Sequence, residues 1–367
     1  MKEKVLFITA YVPHKAAAGE KNTMIMLNDL ASQYDVDLIY YKYDYDKVYQ
    51  PERPNVKPIK IVKNSTAVKI KGILSYPFIH PVYSIRFNWK LCREISKLVK
   101  ENHYKAVLLN HSNVFLFGKY IDKSMPKLLF AHDVIAQRVV RSSSWLMQKI
   151  CIASERMGFN LPNAHIFSFS QKDCDLIRNM YGKDAHLCLD YIDEQIMAKE
   201  PQVVEDYYTL FGDWTRKENS DGALWLMDKV LPLIDKGIKI KVIGRGFPKD
   251  AIPEAYRNTI EVLGFVDDPY QIISNSKAML TPLFQGAGIK VKVIESLACG
   301  TPVIGTDIAF EGLPKGFENF MLLSNNEDDF ANAMLKVDMS VEERKVVKKN
   351  FIECYQQDSI TKYIDRL

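Results

Sequence analysis

Two doubly wound α/β halves are predicted for this 367-residue chain, and three observations predict them. Short β-rich apolar runs recur at intervals that leave room for a helix between them, the pattern of parallel sheets covered on both faces. The runs fall into two series, separated by a polar connection at Asp190–Val204 that holds charges, Pro201 and no sustained apolar period. The length suits two ordinary domains better than one core.

The first series is VLFI (5–8), VDLIY (36–40), AVLL (106–109), KLLFA (127–131) and HIFSFS (165–170), ending near AHLCL (185–189). The second is YYTLF (207–211), IKVIG (240–244), IEVLG (260–264), AMLTP (278–282), PVIGT (302–306) and FMLLS (320–324). Beyond Ser324, Phe330, Ala333, Met334 and Val337 follow helical spacing, and a charged segment and a tail come after them. The expected boundaries are 1–190, 191–345 and a helical tail 346–367 that returns to the first domain.

Hydrophobic residues at 47% and charged residues at 26% supply a substantial core and exclude global disorder. A net charge of +4 is too small to argue for nucleic acid. The apolar stretch Gly72–Ile85 is interrupted by Pro77 and Pro81, too short for a membrane span. Val5–Ile8 is too short for the core of a signal peptide, so a cytoplasmic protein is expected. Six scattered cysteines form no C-x-x-C pair, which argues against zinc and for reduced thiols.

The most informative segment is 281–307, TPLFQGAGIKVKVIESLACGTPVIGTD, where a strand meets a Gly-rich turn, a helix and another strand. Gly286 and Gly288 permit backbone conformations that side chains resist, and a helix N-terminus suits a phosphate. Lys290 and Lys292 put positive charge where the helix dipole alone favours acids, a tension that an anionic ligand resolves. Val291, Ile294 and Ala298 are expected to pack inward, and Glu295 to sit near the loop with its carboxylate within reach of ribose hydroxyls. A surface pair of Lys292 with Glu295 and a plain tight turn is the competing structural reading of these residues.

This segment closely resembles the donor-binding signature of the retaining glycosyltransferases of family 4, in a Gly-Ala-Gly-Ile-Lys-Val-Lys sub-group. The likeness extends along most of the chain: VLFITAYVP with Gly19, FGDWTRKENSDGALWLMDKVLPLI (211–234), VIGRGFP and VLGFVDDPYQII follow in the family's order. The resemblance implies a GT-B fold of two Rossmann-like domains facing a cleft. It also implies an acceptor-side first half and a second half that binds a nucleotide-sugar. Departures are present too. Ala287 stands where many members carry the first carboxylate of an E-x7-E pair, and Asp213 and Glu218 stand where many carry Arg and Lys. Arg216, Lys217, Lys290 and Lys292 are candidate replacements for that diphosphate clamp, with Lys290 favoured and Arg216 second.

His132 follows KLLFA and precedes Asp133, at a strand end where open α/β sheets gather ligands; a lone histidine there is more often structural, and the resemblance implies a sugar-contacting residue. Gly19 resembles the glycine of the family's first loop, although a glycine at a strand-to-helix turn is ordinarily only a turn. Ser170 is read as the cap of a helix beginning near Gln171. Arg245, between two glycines, and Glu311, a recurrent family glutamate, complete the donor-side set with Gly286, Gly288, Ile289 and Lys292. His132, Lys290 and Glu295 are the expected catalytic residues.

Three D-x-D strings are better explained by chance, with Asp173 and Asp175 on a surface helix, so neither a metal nor a cofactor is expected beyond the donor as substrate. The segment 51–105 holds twelve lysines and arginines against three glutamates, interleaved with Ile73, Leu74, Tyr76, Phe78, Ile79, Tyr83, Phe87 and Trp89. It reads either as a face for anionic headgroups or a lipid-linked acceptor, or as a solvated basic face. The expected function is transfer of a sugar to a glycan or lipid-linked acceptor in bacterial surface-polysaccharide assembly. An epimerase or hydrolase of the same fold and a catalytically silent partner are the alternatives.

Overall fold

The computed structural model describes residues 2–14, 18–142, 144–189, 192, 194–234, 237–286, 288–355 and 360–367. The backbone packs as two units, Met1–Tyr191 with Gln357–Leu367, and Ile192–Gln356.

In the first unit the strands are β1 (Lys4–Thr9), β2 (Asp35–Lys42), β3 (Val56–Lys63), β4 (Tyr104–Asn110), β5 (Lys127–Ala131), β6 (Ala164–Ser168) and β7 (Ala185–Leu187). They lie in the order β3-β2-β1-β4-β5-β6-β7, every pair parallel. The second unit has β8 (Tyr208–Phe211), β9 (Ile240–Ile243), β10 (Ile260–Gly264), β11 (Met279–Thr281), β12 (Val303–Gly305) and β13 (Met321–Leu323). Their order is β10-β9-β8-β11-β12-β13, again all parallel. Each apolar run of the two series forms a strand, because a parallel sheet covered on both faces buries nearly every residue, as in β1 and β2. In each sheet the strand order reverses, between β1 and β4 and between β8 and β11, and ligands of such sheets collect at the carboxyl ends beside the reversal.

The edge strand β3 is an element absent from the sequence reading. Its sequence, VKPIKIVK, alternates half-exposed and exposed positions and carries Pro58, which an edge strand tolerates and a central one does not. The pairing with β2 shifts register beside that proline, between Leu38 and Ile39. The basic segment therefore begins as sheet.

The first core is built from β1, β4 and β5 with the helix Trp89–Glu101, through Leu6, Ile8, Leu109, Leu129, Leu91 and Ile95. The second gathers Leu210, Val242, Leu280 and Ile304 against Leu226, Phe330 and Met334. The terminal helix Ile360–Ile364 packs on the helix Ala18–Gln33, where the Tyr34 hydroxyl donates to Asp365. Ser170 caps the helix Gln171–Tyr181: its Oγ accepts from the Asp173 backbone N–H at 2.9 Å and donates to the Asp173 carboxylate at 2.8 Å. Asp173 is consequently buried, which corrects its expected place on a helix surface.

Candidate functional site

In the second unit the loop after β11 leads into the helix Val291–Ala298, which buries Val293, Ile294, Leu297 and Ala298 and leaves Val291 partly exposed. The turn uses both glycines in backbone conformations closed to most side chains, φ +143° at Gly286 and +69° at Gly288. A β-carbon on Gly286 would stand 3.2 Å from Lys290 Cε, so the bare backbone makes room for the lysine stem. Lys290 is the N-cap residue; its ammonium donates to the Gly288 carbonyl at 2.6 Å and lies 3.9 Å from the Glu311 carboxylate, both side chains nearly buried. Ile289 is partly exposed between them, and Ala287 lies outside the described residues.

In the first turn of the helix, Lys292 donates to Asn219 Oδ1 at 2.9 Å. Desolvation, then repulsion from Arg216 and Lys290, lowers its ammonium to about 7, against a smaller pull upward from Glu218. Glu295 accepts a 2.8 Å hydrogen bond from the Tyr270 hydroxyl, which orients its carboxylate.

The two carboxylates that stand in the clamp positions are both matched within the unit. Asp213 Oδ2 accepts from Arg245 Nη2 at 2.8 Å and Nε at 3.1 Å, and Glu218 pairs with Arg216 at the start of the helix Lys217–Trp225. Asp213 is held below the usual carboxylate range by the Arg245 and Thr215 hydrogen bonds, which outweigh its desolvation. The glycines flanking Arg245 admit protein rather than open space: a β-carbon on Gly244, φ +118°, would lie 1.8 Å from the Gly212 carbonyl oxygen. Lys217 is exposed beside Asp221.

In the first unit the carboxyl ends of β1, β4 and β5 build a second cluster. His132 Nε2 meets Asn110 Oδ1 at 2.8 Å, and Asn110 Nδ2 donates to the hydroxyls of Thr23 at 2.8 Å and Thr9 at 3.2 Å. With the amide nitrogen spent on those hydroxyls, Oδ1 accepts, which assigns the proton to Nε2 and leaves Nδ1 as the acceptor of the neutral ring. Burial lowers His132 to about 3, so the ring is neutral across the physiological range. It stacks on His111, centroids 3.8 Å apart, and leans on Phe169 at 4.4 Å.

His111 holds φ +74°, a backbone conformation costly for a residue with a β-carbon and one that clusters at functional sites. Tyr11 meets its ring edge-on at 4.9 Å, and Arg86, buried, donates to the Ala10 carbonyl at 2.8 Å with its guanidinium 4.8 Å from the Tyr11 ring. Gly19 lies in the first turn of the helix Ala18–Gln33, after residues 15–17, which are outside the described set.

Asn110, His111, Arg86, Tyr270 and Asn219 were not among the residues singled out by sequence. Asn110 and His111 follow AVLL as His132 follows KLLFA, so the same signal of polar residues after a strand marks them. Arg86 was concealed within the basic segment, and its burial removes it from any surface cluster. The rest of that segment is divided: Leu74, Phe78 and Trp89 are exposed, whereas Tyr83 and Phe87 are core. Trp89, Arg93, Lys97, Lys100 and Tyr120 line a surface cavity of about 500 Å³. Among the described residues no three His, Cys, Asp or Glu side chains group to hold a metal, and no helix is long and apolar enough to cross a membrane.

The geometry around Lys290, Lys292 and Glu295 falls within a recognisable stretch of chain. Residues 207–337 match the glycosyl transferases group 1 family. The group 1 segment thus begins at β8, contains Asn219, Lys290, Lys292, Glu295 and Glu311, and ends after the helix Glu327–Lys336. Over the whole length the chain is 21% identical to an uncharacterised 44.6 kDa protein in the cps region of Klebsiella pneumoniae, covering 98% of this chain and 97% of that one. Its fold is similar to sucrose-phosphate synthase from Thermosynechococcus elongatus, TM-score 0.68 at 14% identity over 99% of this chain and 96% of the other. It is similar also to a mutant S. aureus TarM in complex with fondaparinux, α-GlcNAc-glycerol and UDP, TM-score 0.69 at 12% identity over 99% and 98% of the two chains. The two parallel Rossmann-like sheets are those of the GT-B fold.

Proposed function

We propose that the chain is a retaining glycosyltransferase of family 4 that moves a sugar, of hexosyl or related type, from a nucleotide-sugar to a glycan or lipid-linked acceptor in bacterial surface-polysaccharide assembly. The observation that carries this reading is the loop and helix at 281–298. There Lys290, Lys292 and Glu295 share one short stretch of the group 1 segment, with the glycine turn shaped around the Lys290 stem.

In this reading the diphosphate sits against the helix N-terminus, where the dipole and Lys290 oppose the charge that develops on the departing group. Glu295, oriented by Tyr270, accepts from ribose hydroxyls. The neutral His132 presents Nδ1 to a sugar hydroxyl rather than exchanging protons, since its ring does not charge near neutrality. A donor-phosphate oxygen receives the acceptor proton, and the remaining catalysis is positioning. The name of the cps-region relative and the UDP in the TarM complex support a surface-glycan role and a nucleotide-linked donor. Trp89 with Arg93, Lys97 and Lys100 is the proposed seat for an anionic lipid surface or lipid-linked acceptor, which makes the protein cytoplasmic and peripheral on the inner membrane face.

One observation favours a second reading, a silent binding partner: Arg216 and Arg245 are both matched by carboxylates within the unit. NMR detection of nucleotide release from UDP-, GDP-, ADP- and CMP-sugars, without acceptor, separates the two. Slow release from one donor, lost in Glu295→Ala, is expected for the transferase. Rapid epimerisation in the same spectra indicates an isomerase, and absence of binding by every donor overturns the enzyme reading.

A further inference from the structure

We infer that Lys292, held by the side-chain amide of Asn219, takes up a proton when a nucleotide-sugar diphosphate binds, so that donor affinity falls as pH rises above neutrality. The inference rests on the donor-binding reading of the 281–298 segment and assigns Asn219 as the residue that positions Lys292.

A lysine fixed at full charge inside a protein is ordinarily met by a carboxylate. Lys292 is met by a neutral amide oxygen at 2.9 Å, and among the described residues no carboxylate lies within ion-pair distance of it. The amide is held in that orientation. Asn219 Nδ2 donates to the Asp213 carbonyl at 2.8 Å, and its backbone N–H donates to the Arg216 carbonyl at 3.0 Å. The position facing Asn219 is a glycine, where a β-carbon on Gly212 would press on its Cγ at 3.3 Å. Oδ1 therefore faces the ammonium.

The charged groups around Lys292 do not supply the missing anion. Arg216 and Lys290 repel it, Glu218 attracts it from a site shared with Arg216, Asp213 holds Arg245, and Glu311 faces Lys290. On its own helix Glu295 accepts from Tyr270, which comes from the helix Tyr270–Asn275. The helix Val341–Tyr355 packs on the same element, and there Arg344 donates to the carbonyls of Ser274, Ser276 and Lys277 while Lys348 donates to those of Ile196 and Lys199. Thr281 of β11 and Thr306 after β12 are uncharged, and on the helix Glu194–Met197, which also packs on this element, Glu194 is exposed to solvent. The result is a partly buried ammonium, met by an amide and lowered to about 7 among cations, a site that a diphosphate completes.

The sign follows. Binding raises the lysine above its free value of about 7, so affinity is full below that pH and declines about tenfold per unit above it, until the bound-state value is reached. A diphosphate esterified at both ends has no proton that titrates near neutrality, so the proton comes to the protein. Calorimetry with UDP-glucose, GDP-mannose and ADP-glucose, in buffers of different ionisation enthalpy, reads the proton count directly. Wild type is expected to take up most of one proton per donor at pH 7.5 and to weaken about 20-fold between pH 6.5 and 8.5.

Asn219→Asp, nearly isosteric, gives the ammonium a carboxylate and keeps it charged; uptake is expected to vanish and the pH slope to flatten, whatever the change in absolute affinity. Lys292→Met is expected to bind more weakly at pH 6.5 and with no slope. Donor binding by wild type without proton uptake overturns the inference and leaves the donor reading intact. Uptake that persists in Lys292→Met overturns it as well, whereas failure of all three donors to bind wild type overturns the donor reading and this inference with it.

Discussion

Replacing Glu295 by alanine removes a carboxylate that Tyr270 holds in place at 2.8 Å. A hydrogen bond from a ribose hydroxyl to that carboxylate is charge-assisted and is worth about 1.5–3 kcal/mol, so the donor should bind about 10- to 100-fold more weakly. Tyr270→Phe leaves the carboxylate present but less fixed, and a loss of about 1 kcal/mol, roughly fivefold, is expected. Because the tyrosine acts through the glutamate, the double variant should bind no worse than Glu295→Ala alone. The assay is titration calorimetry with the donor that binds wild type, in its ribose and 2′-deoxyribose forms. Wild type should discriminate between the two forms and Glu295→Ala should not. Circular dichroism guards the comparison, since the alanine also deprives the buried Tyr270 of its acceptor. A folded Glu295→Ala that binds as tightly as wild type and still prefers ribose would refute the ribose assignment.

Other predictions test the scaffold and the basic face. Glu155 is buried and accepts from Tyr83 at 2.7 Å, Tyr181 at 2.5 Å and the backbone N–H groups of Ile135 and Ala136; Glu155→Leu leaves four donors unmatched and should cost about 3–5 kcal/mol in denaturant unfolding of the first unit. Burial raises the Glu155 carboxyl in the fold, so its stabilising contribution is complete below the ordinary glutamate range and is lost as pH rises through the raised value; that slope should be absent in Glu155→Gln. Arg344→Met removes a buried fork that donates to the carbonyls of Ser274, Ser276, Lys277 and Met339, and should destabilise the second unit by about 3 kcal/mol, with Arg344→Lys failing to restore it because an ammonium cannot span those acceptors. Combined Arg93→Glu, Lys97→Glu and Lys100→Glu should abolish co-sedimentation with anionic vesicles while the helix Trp89–Glu101 keeps its buried face; wild type that ignores such vesicles would refute the membrane role.

Twelve apolar runs became twelve strands: the central ones, such as β1, β4 and β5, because burial on both faces leaves an uninterrupted apolar run, and the partly exposed edge strands β7, β10 and β13 because they keep short apolar runs as well. The thirteenth, β3, obeys a different rule. At a sheet edge one side of the strand meets water, so lysines at 57, 60 and 63 and a proline are permitted, and the same letters read as a basic surface segment. Arg86 was misplaced for a related reason: a formal charge counts identically whether it meets solvent or, as here, the Ala10 carbonyl beside Tyr11.

The site divides along a similar line. Gly286, Gly288, Lys290, Lys292 and Glu295 lie within ten residues, where turn geometry and helical spacing alone relate them. The residues that set their chemistry lie elsewhere in sequence: Asn219 is 73 positions from Lys292 and Tyr270 is 25 from Glu295. Spacing shows that a lysine lies in the first turn; only the fold shows that its partner is an amide rather than a carboxylate. On the inference above, that difference would separate a permanently charged clamp from one that gains its charge with the donor. Asp213 and Glu218 belong to the same argument, since each pairs with an arginine, Arg245 and Arg216, that the proposed donor reading would otherwise offer to the diphosphate. With those two arginines engaged, the proposed donor reading leaves the binding charge to Lys290 and to the proton on Lys292. A variant that frees Arg245, Asp213→Asn, should therefore raise donor affinity by a similar factor at pH 6.5 and pH 8.5, because in the inference above Lys292 is charged in the complex at both.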